Sequence, residues 1–197
     1  MINNIQLRGI VQSLVLWGQG NKGYYPGFDS EGDVVAASVE ERLQILLEGN
    51  YFTSEYVIAP VDTKAEWTTG ALTTANYSYA MLDIDGPTGS GRAQEWRETA
   101  NINAVVLSDR NIGENSTGNV KSIHTDTLGE WFGSVAYNDS HVEYENTHIL
   151  ETGYGRKKSA AVDGEVEFMS EFVFDQDNLF TEDTRTGDDA FMIYSGK

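Results

Sequence analysis

From residue 4 to residue 20 the apolar side chains repeat with helical period: Leu7, Ile10, Val11, Leu14 and Val15 fall at i, i+3, i+4, i+7 and i+8. A helix with one apolar stripe is stable only when that stripe is covered, so the rest of the chain has to supply a surface to receive it. Asn21, Gly23 and Pro26 end the pattern, because glycine readily takes the left-handed cap conformation and proline cannot continue a helix. The start at Met1 carries little of a cap, as expected of a helix that begins further upstream.

A second helix is expected over 39–48. Ser38 and Glu41 form a capping box, each side chain satisfying the other's backbone N–H, while Val39, Leu43, Leu46 and Leu47 supply a buried face and Gly49-Asn50 ends it. Beyond Gly49 the texture changes. Residues 77–82, 104–108, 133–137 and 141–145 read as short strands, several with period two, separated by Gly, Asn and Asp. Asn138-Asp139-Ser140 fits the turn of a hairpin, residues 86–92 a flexible loop, and the tail from Phe172 to Tyr194 a loop with one short strand. No internal repeat or domain boundary interrupts this order. The expected class is α+β, one domain with helices first and an antiparallel sheet after them.

Composition removes several functions. With 13 basic and 31 acidic residues the net charge is −18, which repels phosphate backbones and anionic headgroups, so neither nucleic acid nor a membrane surface is an expected partner. No cysteine is present, so disulfides, thiol nucleophiles and Cys-based metal sites are excluded. A chain of 197 residues buries around 70% of its unfolded surface and needs no such staple. Ten Tyr, eight Phe and four Trp favour strands over disorder. No Gly-x-Ser-x-Gly elbow, dinucleotide fingerprint or Walker loop occurs, and the run Gly86-Pro-Thr-Gly-Ser-Gly91 lacks the Lys-Ser or Lys-Thr end that phosphate binding needs. An enzyme is therefore not expected.

Several segments, in order, resemble bacterial prepilin-type proteins, the type II secretion pseudopilin-like family. Asn3-Asn-Ile-Gln-Leu-Arg-Gly-Ile10 with Gln19-Gly-Asn-Lys-Gly-Tyr-Tyr-Pro-Gly27 resembles its signature at the end of the long N-terminal helix. Asn76-Tyr-Ser-Tyr79 resembles its mid-chain tyrosine strand, and Val106-Leu-Ser-Asp-Arg-Asn111 a strand end of the same family. His124, with Val135-Ala-Tyr-Asn-Asp-Ser-His-Val-Glu-Tyr144, resembles the His…Asp-Gly-His-Val segment of a planctomycete-type subgroup, and Asp177-Asn-Leu-Phe180 a C-terminal motif of that subgroup. Ser140 stands where the subgroup usually has Gly, and the gap from His124 to Asp139 is longer than usual.

The resemblance implies a pilin-like fold, with residues 1–22 the C-terminal part of a spine helix and 23–197 a globular domain. It implies a structural subunit of a type II secretion or type IV pilus-like filament, acting by assembly. Its partners would be itself and other pilin-like subunits, met through a hydrophobic helix upstream of residue 1. The domain would lie outside the cytoplasm, in the periplasm or at the cell surface, and the precursor would be anchored in the inner membrane. The alternative is an extracellular carbohydrate-binding or glycoside-cleaving domain, which would use Trp67, Trp96 or Trp131 as a stacking platform or a pair of carboxylates; buried core is the competing role for those tryptophans.

Two kinds of site are readable. His124, His141 and His148 are enough for zinc, but not at the usual ligand spacings; structural hydrogen bonding, such as His141 to Asp139 on one strand face, is the expected role. Acidic loops suit calcium, which takes six to eight oxygen ligands, or else stand as solvated charge. Asp29, Glu31 and Asp33 form one, and Asp83-Ile-Asp-Gly86 matches only a fragment of an EF-hand. Because some major pseudopilins hold calcium in a loop near the C-terminus, the resemblance points to Asp175, Asp177, Asn178 and Asp183, within the Asp175–Asp183 loop, as the calcium ligands.

Overall fold

The computed structural model describes residues 2–85, 92–98, 101–116, 118–155, 172–180 and 190–195, with backbone alone for 152–155 and 172–177. Helix α1 spans Ile2–Gly20, and Leu7, Ile10, Val11 and Leu14 of its stripe are fully buried. Each such side chain contributes about 1.5–3 kcal/mol through removal from water. The receiving surface is the sheet, on which α1 lies across β2 (Val105–Asp109), β3 (Gly133–Tyr137) and β4 (Val142–Glu145). Lys22, at φ 52°, takes the left-handed cap position expected of a glycine, and Gly23 N–H closes back on Gly18 O at 2.7 Å. Helix α2 spans Val39–Glu48 and begins with the expected capping box: Ser38 Oγ accepts from Glu41 N–H at 3.2 Å, and Ser38 N–H donates to Glu41 Oε2 at 3.3 Å.

With β1 (Tyr79–Leu82) and β7 (Met192–Ile193) these strands form a five-stranded sheet in the order β4-β3-β2-β1-β7, antiparallel at every pairing. A helix followed by an antiparallel sheet is the α+β class read from the sequence. Every residue of β1, β2 and β3 is buried, so the period-two pattern of a half-solvated sheet does not hold there; both faces of the central strands are covered.

The second sheet was not expected. Strands β5 (Ile149–Gly155) and β6 (Phe172–Asn178) pair antiparallel through seven residue pairs, from Ile149↔Asn178 to Gly155↔Phe172. Part of the tail read as loop is therefore strand. Among the described residues no helix is long and apolar enough to cross a membrane.

The β3–β4 turn is a three-residue hairpin loop at 138–140. Ser140 N–H donates to Tyr137 O at 2.9 Å and Tyr137 N–H to His141 O at 3.0 Å, with Ser140 at φ 70° in the left-handed position that closes such loops. That conformation costs a non-glycine residue about 1–2 kcal/mol, and among the described residues the Ser140 side chain has no hydrogen-bond partner to offset it. Ser140→Gly is therefore expected to stabilise the chain by about 0.5–1 kcal/mol in urea titration, the gain reduced by glycine's larger unfolded-state entropy.

Candidate functional site

Asp109 ends a buried strand with a carboxylate that has no solvent exposure. Such a group is tolerated only when its oxygens are hydrogen-bonded. Asn3 Nδ2, from the first turn of α1, lies 2.9 Å from both oxygens; Ser134 N–H donates to Oδ2 at 2.8 Å, and His124 Nε2 lies 2.9 Å from Oδ2. A carboxylate only accepts, so His124 Nε2 carries a proton, and in the neutral imidazole Nδ1 is then an acceptor. Gly133 leaves room for this: a Cβ there would stand 2.9 Å from Asp109 Oδ2.

The cluster extends through both faces of its amides. Asn3 Oδ1 accepts from the Tyr79 hydroxyl at 2.7 Å, and Gln6 Oε1 lies 3.0 Å from the same hydroxyl. Gln6 Nε2 donates to the carbonyls of Glu55 and Ile58, both at 3.0 Å, tying the turn before Pro60 to the helix. Ser134 Oγ donates to Asn4 Oδ1 at 2.7 Å and lies 2.9 Å from Asn3 Nδ2. Burial and the nearby Asp109 and Asp62 carboxylates push the Tyr79 phenol well above its ordinary pKa, so it is a donor at any physiological pH.

His124 reaches Asp109 because the chain between β2 and β3 makes a pinned excursion. Asn111 Oδ1 accepts from Gly113 N–H at 2.9 Å and from Lys121 N–H at 2.8 Å. Ser122 Oγ donates to the Phe132 carbonyl and accepts from His124 N–H at 3.1 Å. Arg110, between Asp109 and Asn111, forms a two-point ion pair with Asp62 at 3.0 and 3.1 Å and stacks 4.7 Å from the Tyr194 ring. A second knot lies elsewhere: Tyr25 OH donates to Asn138 Oδ1 at 2.6 Å, and Trp96 Nε1 donates to the Pro26 carbonyl at 2.7 Å.

Beside the Asp109 cluster, at the start of α1, a cavity of about 490 Å³ opens to solvent. Ile2, Pro60 and Val61 supply apolar wall, Asn4 and His124 polar floor, and the half-exposed ring of Tyr144 one side. The His124 ring lies 5.9 Å from that of Tyr144 and 6.2 Å from that of Phe132.

The other expected site residues are dispersed. His141 Nδ1 bonds Asp139 Oδ1 as anticipated, but in the hairpin turn rather than along a strand, and the imidazole stacks 4.2 Å from the Tyr137 ring. The His148 imidazole has its pKa pushed down by burial. Asp29 Oδ1 accepts from the N–H groups of Glu31 and Asp33, which hold that carboxyl below its ordinary range, and Glu31 pairs with Lys22. Among the described residues no group of three or more His, Asp or Glu side chains is gathered to hold a metal. Asp175, Asp177 and Asn178 lie in β6, laddered against Thr152, Leu150 and Ile149, so they do not form the loop expected of them; Asp183 lies outside the described residues. Trp96 and Trp131 are core residues, and Trp67 is half-buried with its indole N–H on the Gly70 carbonyl.

Compared with protein-family models, curated proteins and solved structures, the chain matches none.

Proposed function

We propose that this chain is the globular part of a pilin or pseudopilin, a structural subunit of a type II secretion or type IV pilus-like filament that works by assembly rather than catalysis. One observation carries the reading. The separate segments in which the sequence resembles that family are bonded to one another: Asn3 and Gln6 of the helix, Tyr79, Asp109 and His124 share one cluster, while Tyr25 and Asn138 share another. Residues that recur together in a family because they form one packing unit would do this; chance matches scattered over a chain would not. The α+β class, a helix lying on an antiparallel sheet, is the one such a subunit requires.

In this reading α1 is the lower part of a spine whose upstream half anchors the precursor in the inner membrane and then joins self and other pilin-like subunits. The globular domain stands in the periplasm or at the cell surface. The test is the coding sequence immediately upstream of Met1. A short basic leader ending in Gly, then about 20 apolar residues beginning with Phe or Met and carrying an early Glu, is the expected finding. An ordinary cleaved signal peptide there would remove the filament reading. Without the apolar segment the chain is expected to be monomeric by light scattering, and a tight oligomer would count against it.

A further inference from the structure

We propose that the cavity at the start of α1 is a binding site for an N-acetylated amino sugar. The proposal stands on the chemistry lining the cavity and does not rest on the filament reading.

Among the described residues, Asn4 Nδ2, His124 Nδ1 and the Tyr144 hydroxyl, on three residues that line it, have no protein partner, and bonds elsewhere fix what the first two can do. Asn4 accepts from Ser134 through Oδ1, which leaves Nδ2 as a donor. His124 donates its Nε2–H to Asp109, and in the neutral imidazole that leaves Nδ1 as an acceptor. The Tyr144 phenol, pushed above its ordinary pKa by burial and by Asp109, stays a neutral donor. Around them stand the aliphatic side chains of Ile2, Pro60 and Val61 and the open face of the Tyr144 ring.

A ligand that satisfies these two amide-binding groups presents an N–H and a C=O, with a methyl group for the aliphatic wall and an apolar ring face for Tyr144. An acetamido group supplies the first three: its N–H meets His124 Nδ1, its carbonyl meets Asn4 Nδ2, and its methyl packs on Val61 and Pro60. A pyranose ring supplies the fourth through its C–H face. Charge narrows the class further. A net charge of −18 disfavours anions, and a cation finds no free carboxylate because the Asp109 oxygens are already occupied. A volume of about 490 Å³ lies within the usual range for a small-ligand pocket and holds one or two sugar rings.

The experiment is titration of the chain with N,N′-diacetylchitobiose, followed by amide chemical shifts, with cellobiose as the sugar lacking acetamides and N-acetylalanine N′-methylamide as the peptide-like probe. Saturable shifts centred on Asn4, Val61, His124 and Tyr144 are expected, with cellobiose weaker by about tenfold or more because it leaves the floor unpaired. Asn4→Asp keeps the acceptor for Ser134 and deletes the donor, and Tyr144→Ala deletes the ring from an edge strand. Each is expected to weaken binding about tenfold while the thermal melt stays close to that of the parent. Equal binding of cellobiose overturns the acetamide assignment, and equal binding of the peptide-like probe overturns the sugar assignment. Absence of any shift up to the solubility of the sugar overturns the site.

Discussion

Asp109→Ala is expected to cost about 3–5 kcal/mol of folding stability, the range for removing one partner from a fully buried charged cluster. The size follows from what is left behind. Asn3 Nδ2, Ser134 N–H and His124 Nε2 all donate to this carboxylate, and an orphaned buried donor costs about 1–3 kcal/mol. Asn3 and Ser134 are themselves buried, so water reaches them poorly, while His124 at the cavity edge recovers part of its loss by hydration. Against a typical total of about 5–15 kcal/mol, the variant sits near the threshold for folding. Asp109→Asn separates shape from charge, because it keeps the volume but sets an NH₂ group against neighbouring donors, and it is expected to lose nearly as much. Urea titration gives the magnitude. Amide hydrogen exchange gives the place: protection should fall first in residues 120–132, the excursion that Asp109 holds through His124. A loss under about 1 kcal/mol would mean that the four segments meeting here are held by packing alone.

The same cluster shows where the sequence was readable. The α1 stripe and the Ser38–Glu41 box depend on residues three and four apart, and both stand where the spacing put them. Strands β1 to β4 were placed to within two residues, because aromatic and β-branched runs bounded by Gly, Asn and Asp carry a local signal. Strands β5 and β6 carry a weaker one: Gly153 and Gly155 dilute the first, and Asp175, Gln176, Asp177 and Asn178 take four of the seven positions of the second after Phe172-Val-Phe174. Their ladder is made by long-range pairing, to which no local period points. The bond between Asp109 and His124 was hidden in another way. Fifteen residues separate them, and only the pinned excursion brings them together, whereas Asp139 and His141, two residues apart, were an obvious pair. A signal for Asp109 did exist. A charged residue closing the apolar run Ala104-Val-Val-Leu-Ser must find donors, and His124 and the amides of Asn3 and Asn4 were the polar residues already singled out by resemblance.

Raising the pH from about 9 to about 12 is expected to unfold the chain in one cooperative step. Tyr25, Tyr77 and Tyr79 are fully buried, and each gives its hydroxyl proton to a fixed acceptor: Asn138 Oδ1, the Tyr194 carbonyl and Asn3 Oδ1. Burial is the largest cause pushing each phenol above its ordinary pKa, with a nearby carboxylate adding to it: Glu98 for Tyr25, Glu40 for Tyr77 and Asp109 for Tyr79. Tyr194, half-buried, is pushed up to about 12, also chiefly by burial. For an acid raised in the folded state, the native form is favoured fully below the unfolded pKa, near 10 for tyrosine, and loses that advantage above it. There the unfolded chain has released protons that the folded chain still holds, so stability falls by about 1.4 kcal/mol per pH unit for each such residue, or about 4 for the three fully buried ones. Arg42 acts in the opposite sense. Complete burial pulls its pKa down to about 10 although Asp83 resists, so above that pH the folded chain has shed a proton the unfolded chain keeps, which returns about 1.4 kcal/mol per unit at most. The net fall of about 3 kcal/mol per pH unit exhausts an ordinary domain's stability within a few units. Tyrosinate absorbance and far-ultraviolet circular dichroism, recorded on the same samples, should therefore change together and steeply. Smooth titration of all ten tyrosines near pH 10 with the dichroism intact would mean that Tyr25, Tyr77 and Tyr79 are open to water, and that the core built around them is not closed.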